Sequence, residues 1–203
     1  MRLTAKLLVL ISMLLATAAC GKQGVANKTQ RLASVDRNTD RLSLFEPTQA
    51  DFDVLPEFKD VVELHVSRPS DDVRDPLAAI AQLPNLQKLE LALNWRDDWP
   101  TSSLRHLPLK YLRVYSPGFY AEDLAGLDLP PSLEVLDLRR VSTINEDAIV
   151  ELGKLQNLKR LYLGSTGISK QSVPELQSCL PDCKVYMWDG GPMHKPEDDG
   201  PAY

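Results

Sequence analysis

The sequence is poor in the residues from which most catalytic and metal sites are built. Its 203 residues include three histidines and three cysteines, and it contains no His-Glu-x-x-His, Gly-x-Ser-x-Gly or glycine-rich phosphate-binding pattern. His65 can share a strand face with Glu63 and Glu90, but a strand histidine beside acidic residues is typical of an ordinary surface. We therefore predict no enzymatic activity, no metal site and no cofactor.

Long apolar runs are absent beyond the first 20 residues, so the rest of the chain reads as one soluble globular domain. A surplus of basic residues is also absent: Lys and Arg number 23 against 28 Asp and Glu, a formal net charge of −5. Nucleic-acid binding relies on neutralising phosphates with Lys and Arg, and an acidic chain is a poor candidate for it.

Residues 1–19 differ from the rest of the chain. Arg2 and Lys6 give a basic start, an almost unbroken apolar run follows from residue 7 to residue 15, and small residues lead into Cys20. The run is too short to span a bilayer, and its flanks are typical of a signal peptide. Removal of residues 1–19 takes away two positive charges, which brings the mature net charge to about −7.

The segment Thr17-Ala18-Ala19-Cys20 resembles the bacterial lipobox. The resemblance implies that Cys20 becomes the mature N-terminus and carries acyl chains, such as palmitate, that attach the protein to a membrane surface of the cell envelope. Gly21, where Asp would retain the protein at the inner membrane, favours the outer membrane in a Gram-negative host. A secretory signal cleaved without lipidation and an uncleaved anchor are the alternatives.

Two polar segments flank the region of regular apolar spacing. Residues 20–40, rich in Gln, Asn, Lys, Thr and Ser, are predicted to form a flexible tether between the membrane and the domain. Residues 189–203, rich in Gly, Pro and acidic residues, are predicted to be a disordered tail. The folded domain is therefore predicted to span residues 41–188.

A leucine pattern recurs five times within this domain. One copy is Leu158-x-x-Leu161-x-Leu163, and equivalent copies begin at Val61, Leu86, Leu109 and Leu133. The five starts are separated by 25, 23, 24 and 25 residues. Such a period indicates a solenoid in which each repeat supplies one strand. Residues 41–45 and 184–188 are predicted to add a capping strand and a last strand.

The second half of each repeat has apolar residues three and four positions apart, which predicts a short helix. These helices are expected to begin near Asp72, Asn145 and Ser169, with Asn145 and Ser169 as caps, and also to include Leu124. The segment from residue 95 to residue 107 lacks the pattern and is predicted to be irregular.

The repeat frame, together with the closing segment Leu180-Pro181-Asp182-Cys183-Lys184-Val185, resembles bacterial leucine-rich-repeat proteins of the ribonuclease-inhibitor-like type. The resemblance implies an α/β solenoid with a short parallel concave sheet, short convex helices and irregular loops. It also implies a macromolecular partner bound on the concave face.

Side chains between the buried leucines of each strand are expected to project from the concave sheet, because strand residues alternate between two faces. Tyr and Arg, with Trp, are enriched at binding hot spots. The predicted partner-binding residues are Tyr111, Arg113, Tyr115, Arg139, Arg160, Tyr162, Tyr186 and Trp188. The alternative is a solvated ladder of side chains, since aromatic residues suit strands in any case.

Cys179 and Cys183 are the only thiols that remain if Cys20 is acylated. Export permits a disulfide between them, because Cys179 is expected near the end of a helix and Cys183 just before the last strand. The alternative is two small apolar residues in the core.

The sequence therefore predicts a monomeric, lipid-anchored envelope protein that binds an unidentified protein partner through its concave face. The alternative is a structural envelope protein that binds a glycan or polymer at the surface. Salt dependence separates the two, because binding led by Arg weakens with ionic strength and stacking on sugars hardly changes.

Overall fold

The architecture is one parallel sheet of eight strands in sequential order, described by a computed structural model over residues 23–26, 32–95 and 104–187. The strands are β1 (Gln23–Ala26), β2 (Arg41–Phe45), β3 (Glu63–Ser67), β4 (Lys88–Ala92), β5 (Tyr111–Tyr115), β6 (Val135–Asp137), β7 (Arg160–Tyr162) and β8 (Lys184–Tyr186). Every neighbouring pair is parallel, as a solenoid with one strand per turn requires. The α/β solenoid, the strand predicted at residues 41–45 and the last strand are confirmed, but residues 41–45 do not form the terminal strand, because β1 pairs with their outer edge.

Short helices return the chain from one strand to the next. The α-helices are α1 (Gln49–Val54), α2 (Pro76–Ile80), α3 (Ala121–Gly126), α4 (Ile149–Gly153) and α5 (Val173–Cys179), and the 3₁₀ turns are Leu32–Ser34, Leu55–Glu57, Glu146–Ala148 and Lys170–Ser172. None of the helices in the described part of the chain has the length and apolar character needed to cross a membrane.

The helix caps follow the sequence in one of the two predicted cases. The Asn145 side chain accepts a hydrogen bond from the backbone N–H of Asp147 at 3.1 Å, as predicted. The Ser169 side chain makes no such bond. Its backbone N–H instead donates to Glu146 in the preceding repeat at 2.9 Å, so this turn is held by a neighbouring repeat rather than by its own cap.

The core is a set of apolar columns that run from repeat to repeat. The leucine frame places side chains in register, and one buried column contains Leu42, Leu64, Leu89, Leu112, Leu136, Leu161 and Val185. Full burial of one such side chain stabilises the fold by about 2 kcal/mol. Because each repeat buries its apolar face only against its neighbours, stability depends on this uninterrupted stacking.

The N-terminal segment differs from the predicted flexible tether of residues 20–40. Strand β1 lies within it and pairs with β2, and Leu32 is fully buried. The Leu32 N–H donates to Asp51 at 3.0 Å, and the Arg37 guanidinium lies 4.5 Å from the centroid of the Phe58 ring. Leu32 and the Arg37 side chain therefore cover the first turn of the apolar core.

The irregular segment carries one local anchor. Trp95 packs edge-to-face on Phe119 with ring centroids 4.8 Å apart, and its backbone N–H donates to the Ser116 hydroxyl at 2.9 Å. A Cβ atom built on Gly118 would lie 2.9 Å from the Trp95 carbonyl oxygen, so glycine permits this close approach. Residues 104–107 form neither strand nor helix, as predicted, and residues 96–103 lie outside the described residues.

The predicted signal peptide (residues 1–19), the Cys20 lipidation site, Trp188 and the predicted tail (residues 189–203) also lie outside the described residues.

Candidate interaction surface

The concave face is ordered into columns by the register of the strands. Alternate residues of each strand point to this face, and each lies opposite its counterpart on the next strand, about 4.8 Å away. The central column contains Ser43, His65, Glu90, Arg113, Asp137, Tyr162 and Tyr186. The column is charged at its middle and aromatic at its C-terminal end.

Asp137 is the centre of the charged part. Its side chain is fully buried although it belongs to the sheet surface, and Arg139 covers it with a two-pronged contact. Arg139 donates from Nε to Oδ1 at 2.9 Å and from Nη2 to Oδ2 at 2.7 Å, and its backbone N–H donates to Oδ1 at 3.1 Å. Arg113 on the adjacent strand places Nε 3.7 Å from Oδ2. These three residues are called the Asp137 cluster below.

The Asp137 cluster holds Arg139 as a cation in a fixed orientation. The hydrogen bonds that Arg139 donates to Asp137 raise the pKa of Arg139 above its usual value. The guanidinium also lies 5.0 Å from the centroid of the Tyr162 ring, so the ring supports one face of the planar group. Both arginine side chains remain 16% exposed, whereas the carboxylate is not exposed at all. Solvent therefore meets two cations and not the anion that orients them.

Tyr162 and Tyr186 form the aromatic end of the column. Their rings stack with centroids 4.8 Å apart and an interplanar angle of 13°. They pack with Val135, and Tyr111 contacts this cluster from β5. Both side chains are buried, with 3% and 6% exposure, which differs from their expected projection into solvent. The stacked tyrosine rings cover one another along the column and form a buried aromatic cluster beside the arginines.

Tyr111 lies between this aromatic cluster and the N-terminal half of the face. Burial, and after it the negative charges of Asp137 and Glu90, raise the pKa of Tyr111 well above its usual range. The Lys88 ammonium lies 5.4 Å from the centroid of its ring. The hydroxyl therefore stays protonated at any physiological pH, so that it can donate a hydrogen bond and cannot serve as a base.

The N-terminal half of the face is a set of mutually paired charges around a shallow depression of about 260 Å³. Arg41 lies 3.3 Å from Glu63, while Glu90 accepts contacts from His65 at 3.3 Å and Lys88 at 3.1 Å. The hydrogen bond to His65, and the charge and hydrogen bond of Lys88, lower the pKa of Glu90 to about 2. Within the described residues no group of three His, Cys, Asp or Glu side chains is arranged to hold a metal ion.

The two halves of the concave face differ in charge. In the N-terminal half, Arg41 and Lys88 are balanced by two glutamates. Among the described residues, the concave positions of the C-terminal half carry four cationic side chains and one carboxylate, Asp137, which leaves a surplus of three positive charges; the cations are Arg113, Arg139, Arg160 and Lys184. This surplus lies on a chain whose net charge is −5.

The predicted hot-spot residues thus divide by accessibility. Tyr115 is 45% exposed, and Tyr111, Arg113, Arg139 and Arg160 are partly exposed. Sequence reasoning missed Asp137 as the organiser of the surface. An available signal was its position: it is the only acidic residue among the concave positions of β5 to β8, and it lies beside Arg113 in the register.

Both cysteines in the described part of the chain are free thiols, so the predicted Cys179–Cys183 disulfide is not formed. Cys183 is buried in the core, where burial raises the pKa of its thiol to about 11. Cys179 instead lies against the neighbouring repeat, because a Cβ atom on Gly153 would approach its Cβ to 3.1 Å. The two side chains serve different contacts, and for Cys183 the alternative of a small core residue is correct.

Comparison with known proteins identifies the fold. No protein-family model matches the chain, and no curated protein matches it. Among solved structures it is similar to an internalin (inlF) from Listeria monocytogenes, with a TM-score of 0.50 and 16% identity over 75% of this chain. The match spans only 42% of the length of that internalin. Internalin C2 (inlC2) from the same organism matches with a TM-score of 0.36 and 18% identity, over 70% of this chain and 76% of that one.

At this level of identity, the first of these similarities shows a shared leucine-rich-repeat fold and says nothing about partners. The leucine-rich-repeat solenoid predicted from the repeat frame is confirmed.

Proposed function

We propose that this protein is a non-catalytic binding module that takes a protein partner through the C-terminal half of its concave face. The observation that carries the proposal is the surplus of three positive charges on that half, next to the exposed ring of Tyr115. Arginine beside tyrosine is the composition of binding hot spots, and the charge favours an anionic partner surface.

An open binding surface fits this geometry better than catalysis does. Catalysis needs titratable groups that converge in an enclosed site from which water is removed. The depression in the N-terminal half is shallow, and its charged groups neutralise one another. Glu90 is held ionised far below neutral pH and Tyr111 is held protonated, so neither has the pKa near 7 that a general base requires.

We further propose that Cys20 carries a lipid and fixes the protein to the envelope membrane, in the outer membrane of a Gram-negative host. The lipobox-like Thr17-Ala18-Ala19-Cys20 supports this, and strand β1 begins three residues after the cysteine. Metabolic labelling with an alkyne analogue of palmitate tests the site. Label on the wild-type protein and none on a Cys20→Ser variant is the expected result; equal fractionation of both with membranes would contradict it.

The partner is tested by affinity capture from the envelope of the source organism, with three full-length baits compared by quantitative mass spectrometry. The baits are the wild type, an Arg113→Gln/Arg160→Gln variant, and a matched Arg41→Gln/Lys88→Gln variant that removes two cations from the other half. A protein retained by the wild type and the matched variant, but lost by the first variant, is the expected result. Equal retention by all three would refute a role for the C-terminal half.

A glycan ligand is less well supported. Sugars stack on exposed aromatic faces, but the faces of Tyr162 and Tyr186 are covered by one another. Partner binding should weaken steeply between 50 mM and 300 mM salt, because exposed charges lead it. Binding that is insensitive to salt would favour the glycan.

A further inference from the structure

We propose that Arg113 and Arg139, held on Asp137, form a clamp for a carboxylate, and that the partner presents an Asp or Glu side chain of an extended acidic segment to it. This proposal rests on the proposed function and specifies its ligand chemistry. The arginine clamp consists of the same three residues as the Asp137 cluster, and the new name refers to their proposed role.

The first support is the way Arg139 is fixed. A free arginine side chain loses considerable rotamer entropy when it binds, and a prepositioned one does not. Arg139 is fixed by two side-chain hydrogen bonds to Asp137 and by the Tyr162 ring beneath its plane. A guanidinium has five N–H donors, and those of Arg139 not used on Asp137 have no partner among the residues that the structure describes.

The second support is the charge of the clamp. Two guanidinium groups share one carboxylate, so the cluster has a net charge of +1. The carboxylate is fully buried while each arginine keeps 16% of its side chain exposed, so the accessible side presents only donors. A second carboxylate, supplied from outside, would neutralise the cluster and accept the remaining N–H groups of Arg139 in a two-pronged contact.

The third support is the neighbouring surface. Tyr115 follows Arg113 by two residues on the same strand face and is 45% exposed. Arg160 lies one strand beyond the Asp137 strand, with no acidic partner among the described residues. An extended segment that lies across the strands would therefore place one carboxylate on the clamp, an apolar side chain on Tyr115 and a further acidic residue near Arg160.

The N-terminal half of the same face provides an internal contrast. There the cations contact Glu90, which is 24% exposed, and Glu63, which is 35% exposed, so acceptors and donors are presented together. A carboxylate that approached Arg41 or Lys88 would meet a competing carboxylate of the protein itself. Glu90 also lies opposite Arg113 in the register, but the carboxylate that holds Arg139 is not exposed, so selective recognition of acidic residues belongs on the C-terminal half.

The direct test is a titration followed by NMR of the arginine Nε–Hε groups in the full chain. The probe is a capped heptapeptide with three alternating glutamates, and the control peptide carries glutamine at those positions. The expected result is a shift of the Arg113 and Arg139 signals with the glutamate peptide, no shift of the Arg41 signal, and no shift with the glutamine peptide. Shifts spread equally over all three arginines would overturn the clamp.

A substitution at Asp137 separates an oriented clamp from simple charge attraction. Asp137→Asn removes a negative charge, so attraction by net charge alone predicts tighter binding of the acidic peptide. The clamp predicts binding weaker by about tenfold, because the arginines lose their orienting partner. Unchanged far-ultraviolet circular dichroism shows that the variant is folded, and tighter or equal binding would refute the proposal.

A second variant keeps the test decisive if Asp137→Asn does not fold. Arg139→Lys retains the charge but cannot form a two-pronged contact, so we expect about tenfold weaker binding of the peptide. The matched Arg41→Lys change should alter binding less than twofold. Equal effects of the two changes would show that the geometry at position 139 is irrelevant.

The remaining outcomes distinguish this proposal from the broader function. An envelope protein that depends on Arg113 and Arg160 in the capture experiment, without any response of the clamp to the glutamate peptide, would leave the binding module standing and overturn carboxylate recognition. The chain also has its own acidic segment, Glu197-Asp198-Asp199. If Glu197→Gln/Asp198→Asn/Asp199→Asn moves the clamp signals and the peptide does not, the occupant is that segment and the external partner is refuted.

Discussion

The pairing of Asp137 with Arg139 should be one of the strongest single polar contributions to stability on the sheet surface. Surface ion pairs contribute about 0.2–1 kcal/mol, and breaking a buried pair costs about 3–5 kcal/mol. Here the carboxylate is fully buried, but the guanidinium retains 16% exposure and can be partly rehydrated. We therefore expect Asp137→Asn to lower the free energy of unfolding by about 2–3 kcal/mol, since the amide keeps one acceptor and loses the other.

A double-mutant cycle measures the pair itself. Asp137→Asn, Arg139→Gln and the double variant are unfolded in urea at pH 7 and 0.15 M salt, followed by circular dichroism. The expected coupling energy is about 1.5–2 kcal/mol. The same cycle on Arg41 and Glu63, which lie 3.3 Å apart with 52% and 35% exposure, should give less than about 0.5 kcal/mol.

The reasoning would be refuted by a coupling energy below about 0.5 kcal/mol for the Asp137 pair, or by equal values for both pairs. The urea m-value provides the necessary control, because solenoids can lose their terminal repeats separately. A changed m-value would show that the substitution has altered the cooperative unit. The coupling energy would then be determined with a second probe that reports the unfolding of the whole chain.

Three further predictions concern other parts of the fold. Gly118→Ala should destabilise the protein by about 1–3 kcal/mol, because the added methyl would lie 2.9 Å from the Trp95 carbonyl oxygen, and a urea midpoint equal to wild type would contradict this close contact. At pH 8, iodoacetamide should alkylate Cys179 well before Cys183, whose buried thiol has a pKa of about 11 and little thiolate; peptide mass mapping checks this, and equal rates would contradict it. Glu90 has a folded pKa of about 2 against an ordinary 4.5, so its stabilising contribution is present above about pH 4.5 and is lost as the pH falls toward 2. Urea midpoints at pH 5, 3.5 and 2 should therefore fall more for the wild type than for Glu90→Gln, and parallel curves would refute the shift.

The repeat frame predicted most of the sheet because a leucine period acts at every turn of the coil. Each copy specifies a strand, its register and its buried column at once, so errors cannot accumulate along the chain. Leu158, Leu161 and Leu163 are all buried, as the frame requires. The same period gave the helices, whose apolar positions recur at the same offset from each strand.

The N-terminal extension was not predictable in the same way. Leu32 lies within a mainly polar segment, and no periodicity marks it as buried. Its position depends on a tertiary contact, the hydrogen bond to Asp51, and on the need to cover the first turn of the core. Composition alone describes such a segment as a tether.

The site was predicted as a set of residues but not as an arrangement. Strand alternation placed Tyr162 and Tyr186 on the concave face, but it does not say that neighbouring rings will stack and leave solvent. Asp137 was overlooked for a related reason: its role depends on arginines from two different segments, and only their meeting in space makes it an orienting group.

If Cys20 carries the proposed lipid, the position of strand β1 determines how far from the membrane a partner can be met. β1 begins three residues after Cys20, so with the proposed lipid there the first edge of the sheet stands within about 10 Å of the bilayer surface. Four and five strand spacings of about 4.8 Å separate that edge from Arg113 and Asp137, which places the arginine clamp at most about 35 Å from the lipid. An acidic segment reaches it only if it belongs to a protein held at the same membrane or to one whose chain extends to that surface. The anchor would thereby restrict the choice of partner by its distance from the membrane, independently of any contact with the clamp.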